Sequence, residues 1–239
     1  MLIAVEGLIG VGKSTLCSGL SAHLGDLGVE VLPEPVTSRT FATLLERYYD
    51  APSRWGLTFQ LDTIRSRVVA HKAAPEGDIV IQDRSIIGDQ LFAQVARAQG
   101  FMDETEFAVY ESLREALCAE LDPAALVVYL RAGPETCMER IGQRARGCEH
   151  GIPMGYLQAL YEAHERTLDT EDERCLVVDW ESFGSVSDVA LQIRERLVAL
   201  GHLEGARAES YRTPELAYGA ARTRSVPVNG GVELAERGL

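Results

Sequence analysis

At 239 residues, with 46% hydrophobic and 25% charged side chains, the chain has the length and balance of one soluble globular domain. A net charge of −13, from 36 acidic against 23 basic residues, argues against a duplex-binding protein, whose affinity would rest on a basic excess. No apolar run approaches the roughly 18 residues of a membrane span, and five scattered cysteines without a CxxC pair argue against structural zinc and read as reduced thiols.

The first strand-like run, Leu2–Glu6, begins directly after Met1, which sets a cytoplasmic location as the expectation. Further apolar runs follow at Val29–Pro33, Ile79–Asp83, Leu126–Leu130 and Cys175–Asp179. Continuous runs of this length suit strands covered on both faces. Helical periodicity fills the intervals at Trp55–His71, Ile86–Ala98, Glu104–Leu121, Pro134–Arg144 and Tyr156–Arg166, and Val186–Leu200 closes the series, with Ser185 or Ser187 as its cap. The alternation predicts an α/β fold with a five-stranded parallel sheet and helices on both faces. It assigns 1–204 to one domain and 205–239, rich in Gly, Ala, Arg and Pro, to a loosely ordered tail.

Between the first strand and the helix after it, Gly7, Gly10, Gly12, Lys13 and Ser14 complete GxxxxGK[ST], followed by Thr15. Glycines let consecutive backbone N–H groups face a phosphate at a helix N-terminus, Lys13 reaches the β- and γ-phosphates, and Ser14 ligates Mg²⁺. The plainer reading, a glycine turn that merely starts a helix, leaves the lysine and the hydroxyl unexplained. A GTPase would need an NKxD-type base reader, and the only asparagine is Asn229. Glu34, followed by Pro35 and Val36, and Asp83-Arg84-Ser85 stand after the second and third strands, at the sheet edge where open α/β folds place ligands.

The run GLIGVGKST, the Glu34-Pro35-Val36 segment, Arg54-Trp55 leading to Phe59-Gln60, Asp83-Arg84-Ser85, and Arg144, Arg146 and Glu149 before Gly151-Ile152-Pro153 resemble the deoxynucleoside kinase family of deoxycytidine, deoxyguanosine and deoxyadenosine kinases. The resemblance covers about residues 1–200 and implies a P-loop kinase fold with a lid near Arg140–Glu149. It also implies ATP and Mg²⁺ as cofactors, a deoxynucleoside as acceptor, and a homodimer. Carried over by position, Glu34 accepts the proton of the 5′-hydroxyl beside Arg84, and Asp83 helps hold Mg²⁺. Tyr49 and Glu149 bind the 3′-hydroxyl, Phe59 and Gln60 meet the base, and Arg67 and Asp89 stand where members preferring deoxycytidine or purines carry Arg and Asp. Arg140, Arg144 and Arg146 match arginines that close over ATP. Asp83 departs from the family's usual Glu. Its shorter reach favours metal contact through water, and the Asp-Arg pair keeps a thymidylate-type nucleoside monophosphate kinase as the alternative. The chemistry agrees, because phosphoryl transfer is mainly positioning and charge neutralisation.

Overall fold

The computed structural model describes residues 1–34, 39–74, 79–144, 151–168 and 170–204. Residues 205–239, expected above as a tail, lie outside the described residues, as do Arg146 and Glu149.

The five expected strands form: β1 (Leu2–Gly7), β2 (Val29–Leu32), β3 (Ile79–Asp83), β4 (Leu126–Arg131) and β5 (Cys175–Asp179). They pair in the order β2-β3-β1-β4-β5, and every pairing is parallel. All five residues of β3 and the last five of β1 are buried, so both faces of the sheet centre are covered, and this is why these strands read as continuous apolar runs. The main core joins Ile3 and Val5 of β1 to Leu16 and Leu20 of α1 (Lys13–His23), Val128 and Leu130 of β4, and Ile193 and Leu197 of α8 (Val186–Ala199). A second cluster gathers Ile64 and Val68 of α3 (Pro52–Lys72), Ala93 and Ala96 of α4 (Ile86–Ala98), and Phe107 and Tyr110 of α5 (Glu104–Cys118). The remaining α-helices among the described residues are α2 (Arg39–Asp50), α6 (Pro134–Arg144) and α7 (Met154–Thr167). No helix among the described residues is long and apolar enough to cross a membrane.

Local chemistry places several boundaries. Asp103 and Glu106 form a reciprocal capping box at the start of α5, and Ser185, one of the two serines named above, caps α8 by accepting from the Asp188 N–H. Pro52 stands at the first position of α3, so that helix begins before Trp55, where a missing N–H is harmless. The strand-and-helix pattern above did not include α2. Its signal is present, since Phe41, Leu44, Leu45 and Tyr48 recur at helical spacing and pack together with Phe59 of α3.

The register positions the site. Val5 of β1 lies opposite Asp83 of β3, so the glycine loop after β1 and the Asp83-Arg84-Ser85 segment after β3 leave the sheet at the same level of its carboxyl edge.

Candidate active site

A cavity of about 630 Å³ opens at that edge. Gly10, Gly12, Lys13, Ser14 and Thr15 line one end, and Glu34, Asp83 and Arg84 line its middle. Phe59, Gln60 and Arg67 of α3 and Tyr49 of α2 line the other end. Arg140 and Arg144 of α6 also border it. Gly7 stays behind this wall as the last residue of β1.

The loop after β1 curls because its glycines take conformations closed to other residues: Gly10 has φ of 81° and Gly12 of 111°. A Cβ at residue 10 would also press to 2.7 Å from the Cys137 carbonyl oxygen of α6. Inside the curl the Lys13 ammonium donates to the carbonyl oxygens of Gly7 at 3.1 Å and Leu8 at 2.8 Å. Burial lowers its pKa to about 8, the nearby Arg84 adds to the effect, and Asp83, Glu34 and Glu6 oppose it. A cation held at such a cost in an enclosed loop fits a polyphosphate, whose charge would restore the balance.

Ser14 and Thr15, at the start of α1, are exposed towards the cavity. The Ser14 hydroxyl donates to Asp83 Oδ2 at 2.5 Å, while Asp83 Oδ1 is buried with no hydrogen-bond partner among the described residues. A hydroxyl and a carboxylate side by side, one carboxylate oxygen without a hydrogen-bond partner, are hard oxygen ligands of the kind Mg²⁺ takes in pairs while keeping waters and phosphate oxygens. Among the described residues no three His, Cys, Asp or Glu side chains gather as a metal cage.

Glu34, beyond β2, accepts from Arg84 Nε at 3.2 Å and from an Arg67 guanidinium nitrogen at 3.4 Å. Burial raises its pKa, but Arg84, Arg67 and Lys13 together outweigh that effect and leave it below the usual carboxylate value, so Glu34 is ionised at neutral pH. Arg84 is the one non-glycine residue with positive φ among the described residues, at 64°. That conformation costs roughly 1–2 kcal/mol for a residue with a Cβ. Its guanidinium lies 4.4 Å from the centre of the Phe92 ring, and its Nη1 is buried without a hydrogen-bond partner among the described residues.

At the far end Gln60 is 1% exposed, and its amide nitrogen has no hydrogen-bond partner among the described residues. Phe59 stacks on Tyr48 at 4.9 Å between ring centres. Arg67 bonds Asp89 of α4, and the Tyr110 hydroxyl of α5 donates to the other Asp89 oxygen at 2.6 Å. Asp89 is fully enclosed and does not line the cavity, so of the expected pair Arg67 faces the opening and Asp89 stands behind it.

Arg140 donates to the Val11 carbonyl at 3.1 Å and to those of Trp180 and Glu181 at 2.9 and 3.0 Å, with its guanidinium 4.1 Å from the Phe183 ring centre. It therefore ties the glycine loop to the turn after β5. Phe183, 62% exposed, lines the cavity beside Gly12. Sequence reasoning missed it, along with Tyr48 and Tyr156, whose hydroxyls meet at 3.1 Å inside the cavity, and Tyr110. An exposed aromatic carries no periodic signal. Tyr48 was discoverable as the neighbour of Tyr49 on α2 once that helix is drawn.

The profile of the family described as deoxynucleoside kinase matches residues 3–198. Deoxyguanosine kinase of Dictyostelium discoideum is 29% identical over 201 residues, covering 80% of this chain and 68% of its own length. Deoxycytidine kinase 2 of Gallus gallus is 32% identical, over 81% of this chain and 82% of its own length. Deoxycytidine kinase of Homo sapiens is 32% identical, over 70% and 77%.

Proposed function

The chain belongs to the deoxynucleoside kinase family, and we propose that it moves the γ-phosphoryl group of ATP to the 5′-hydroxyl of a deoxynucleoside, with deoxycytidine or a deoxypurine preferred to thymidine, as a nucleotide salvage step. The observation that carries this reading is the ionised Glu34, held by Arg84 and Arg67 in one cavity with Lys13 and Ser14.

In this reading Lys13 and the backbone of Gly10 and Gly12 take the phosphates, and Arg140 and Arg144 border them from α6. Mg²⁺ would be held by Ser14 and Asp83, and when bound it neutralises phosphate charge. Arg84, which lines the cavity, neutralises charge on the moving group while its Nε orients Glu34. Glu34 accepts the proton of the attacking hydroxyl. Its low pKa makes it a weak base, which suits a loose transition state in which the nucleophile needs little deprotonation until late. Orientation of the hydroxyl is then as important as basicity. Gln60, whose amide nitrogen is buried with no partner among the described residues, pairs with the base edge, and Tyr49 serves the sugar. Deoxycytidine kinases among its relatives support the base assignment. The homodimer expected from the resemblance and the domain limits 1–204 belong to the same proposal.

Phosphate transfer from ATP to dC, dA, dG, dT and their 5′-monophosphates tests it. Transfer to nucleosides, with dC or a deoxypurine ahead of dT, is expected. Transfer confined to monophosphates would replace it with a nucleoside monophosphate kinase.

A further inference from the structure

Glu6 is the last side chain of β1 before the glycine loop begins at Gly7, and it is fully buried. A carboxylate in a protein interior is costly unless its oxygens are paired, and an apolar residue of similar size would stabilise the sheet better. The pairing is concentrated on one oxygen and one short stretch of chain, while Oε2 is buried with no hydrogen-bond partner among the described residues. Glu6 Oε1 accepts from the Ser85 backbone N–H at 2.8 Å, from the Ser85 hydroxyl at 2.7 Å and from the Gly88 N–H at 3.2 Å. Two of these donors belong to Ser85, directly after Arg84, and the third to Gly88 in the first turn of α4.

Arg84 is held from both sides as a result. Its own N–H donates to the Val5 carbonyl at 3.0 Å, and the next N–H in the chain, that of Ser85, goes to Glu6. Between these two anchors, supplied by consecutive residues of β1, the backbone of Arg84 takes its left-handed turn at φ 64°. That turn aims the guanidinium back over the cavity, towards Glu34 and the Phe92 ring. Released from the anchors, a residue with a Cβ relaxes to a right-handed or extended backbone, and the guanidinium swings away. Gly88 fits the same purpose: a Cβ there would collide with Glu6 Oε2, so the first turn of α4 admits the carboxylate only because residue 88 has no side chain.

We propose that Glu6 is a positioning residue for phosphoryl transfer, acting as an acceptor that fixes the left-handed turn of Arg84 and so sets the distance between Arg84 and Glu34. This rests on the reading of Arg84 and Glu34 given under Proposed function. The main effect belongs to the transferring geometry, because none of the donors to Glu6 lies in the glycine loop and its charge contributes least of those that support the protonated Lys13.

Steady-state kinetics of Glu6→Gln, Glu6→Ala, Gly88→Ala, Arg84→Ala and the Glu6→Ala/Arg84→Ala double variant decide the matter, each first checked for folding by circular dichroism. Misplacing a reacting group costs up to about 10²-fold, so kcat of Glu6→Ala should fall by about 10-fold to 10²-fold with KM for ATP changed less than about threefold. Glu6→Gln, which keeps the accepting oxygen, should recover kcat to within about threefold of wild type. In the Arg84→Ala background the loss of Glu6 should add little, because the two act as one unit. Gly88→Ala keeps the backbone N–H but sets a Cβ in collision with Glu6 Oε2 and 3.0 Å from Arg84 Cγ, so it should lower kcat, with a loss of Tm from overpacking that its gain in helix propensity offsets only in part. It carries the test if Glu6→Ala does not fold. Wild-type kcat in folded Glu6→Ala or in Gly88→Ala, Glu6→Gln as impaired as Glu6→Ala, or fully additive losses in the double variant would each overturn the proposal. Full activity in Arg84→Ala would instead overturn the reading of the site on which it rests.

Discussion

Arg67 donates to Asp89 with one guanidinium nitrogen and to Glu34, at 3.4 Å, with the other. One cation thus joins the end of the cavity that the nucleobase would enter to the carboxylate that would take the proton. Whatever moves Arg67 acts on both recognition and chemistry.

For base choice, Arg67, held by Asp89 behind it, forms a charged wall of the cavity that occupies the space the methyl group of thymine would need. The double change Arg67→Met with Asp89→Ala removes the wall without leaving either charge alone, and it should raise kcat/KM for thymidine relative to deoxycytidine. Steady-state kcat/KM for four nucleosides is the measurement. A wild-type protein that already favours thymidine over deoxycytidine by tenfold, about 1.4 kcal/mol, would show the wall has no such role.

Tyr110 acts on the same pair from behind. Burial first, and then Asp89, push its hydroxyl well above its ordinary pKa, so it stays protonated and only donates. Tyr110→Phe leaves one oxygen of the enclosed Asp89 without a partner, at a cost of about 1–3 kcal/mol. KM for the nucleoside should rise while KM for ATP holds. Equal rises in both would point to general loosening of α5.

Glu34→Gln should lower kcat by about 10²–10⁴-fold with ATP binding little changed, since the amide keeps the shape but cannot take a proton. Unchanged turnover would reduce Glu34 to a tether for its arginines.

The pH profile follows from the same charges. A depressed carboxylate remains ionised as pH falls, so kcat should stay level from about pH 7.5 down to about 5.5 before the acid limb begins below the usual Glu value. An acid limb with a midpoint near neutrality would contradict the ionised Glu34.

Lys13 gives the opposite limb. Its pKa of about 8 means that it loses its proton as pH rises through that value, whereas phosphate needs the charged form. ATP must then restore the proton, so the Kd for ATP should increase between about pH 7.5 and 9.5, by up to tenfold per unit. Calorimetry in buffers of different ionisation enthalpy should register proton uptake on binding. Lys13→Ala should show weaker binding, kcat lower by about 10²-fold or more, and no such uptake. A flat Kd in the wild type would place the lysine pKa elsewhere.

Much of the site was written in local order. GxxxxGK[ST] needs only a strand, a turn of fixed length and a helix start, so Gly7, Gly10, Gly12, Lys13 and Ser14 could be assigned from spacing alone. The apolar runs at the sheet centre marked their strands because coverage on both faces leaves no polar alternation, while β2 at the edge was legible despite its exposed Glu30. Glu34 and Arg84 followed from their places after strands, since parallel strands bring their carboxyl ends to one edge. The resemblance supplied Gln60, Arg67 and Asp89, and the structure brought them together, with Asp89 behind Arg67. What no local pattern held was the pairing across distance: Glu6 with Ser85, 79 residues away, Tyr110 with Asp89, and Tyr48 with Tyr156, 108 residues away. A buried carboxylate at the end of an apolar strand looks like any polar strand end until the register of β1 against β3 lays it beside the turn after β3. Hydrogen bonding falls off within fractions of an ångström, so which donor meets which acceptor is decided only when the sheet closes.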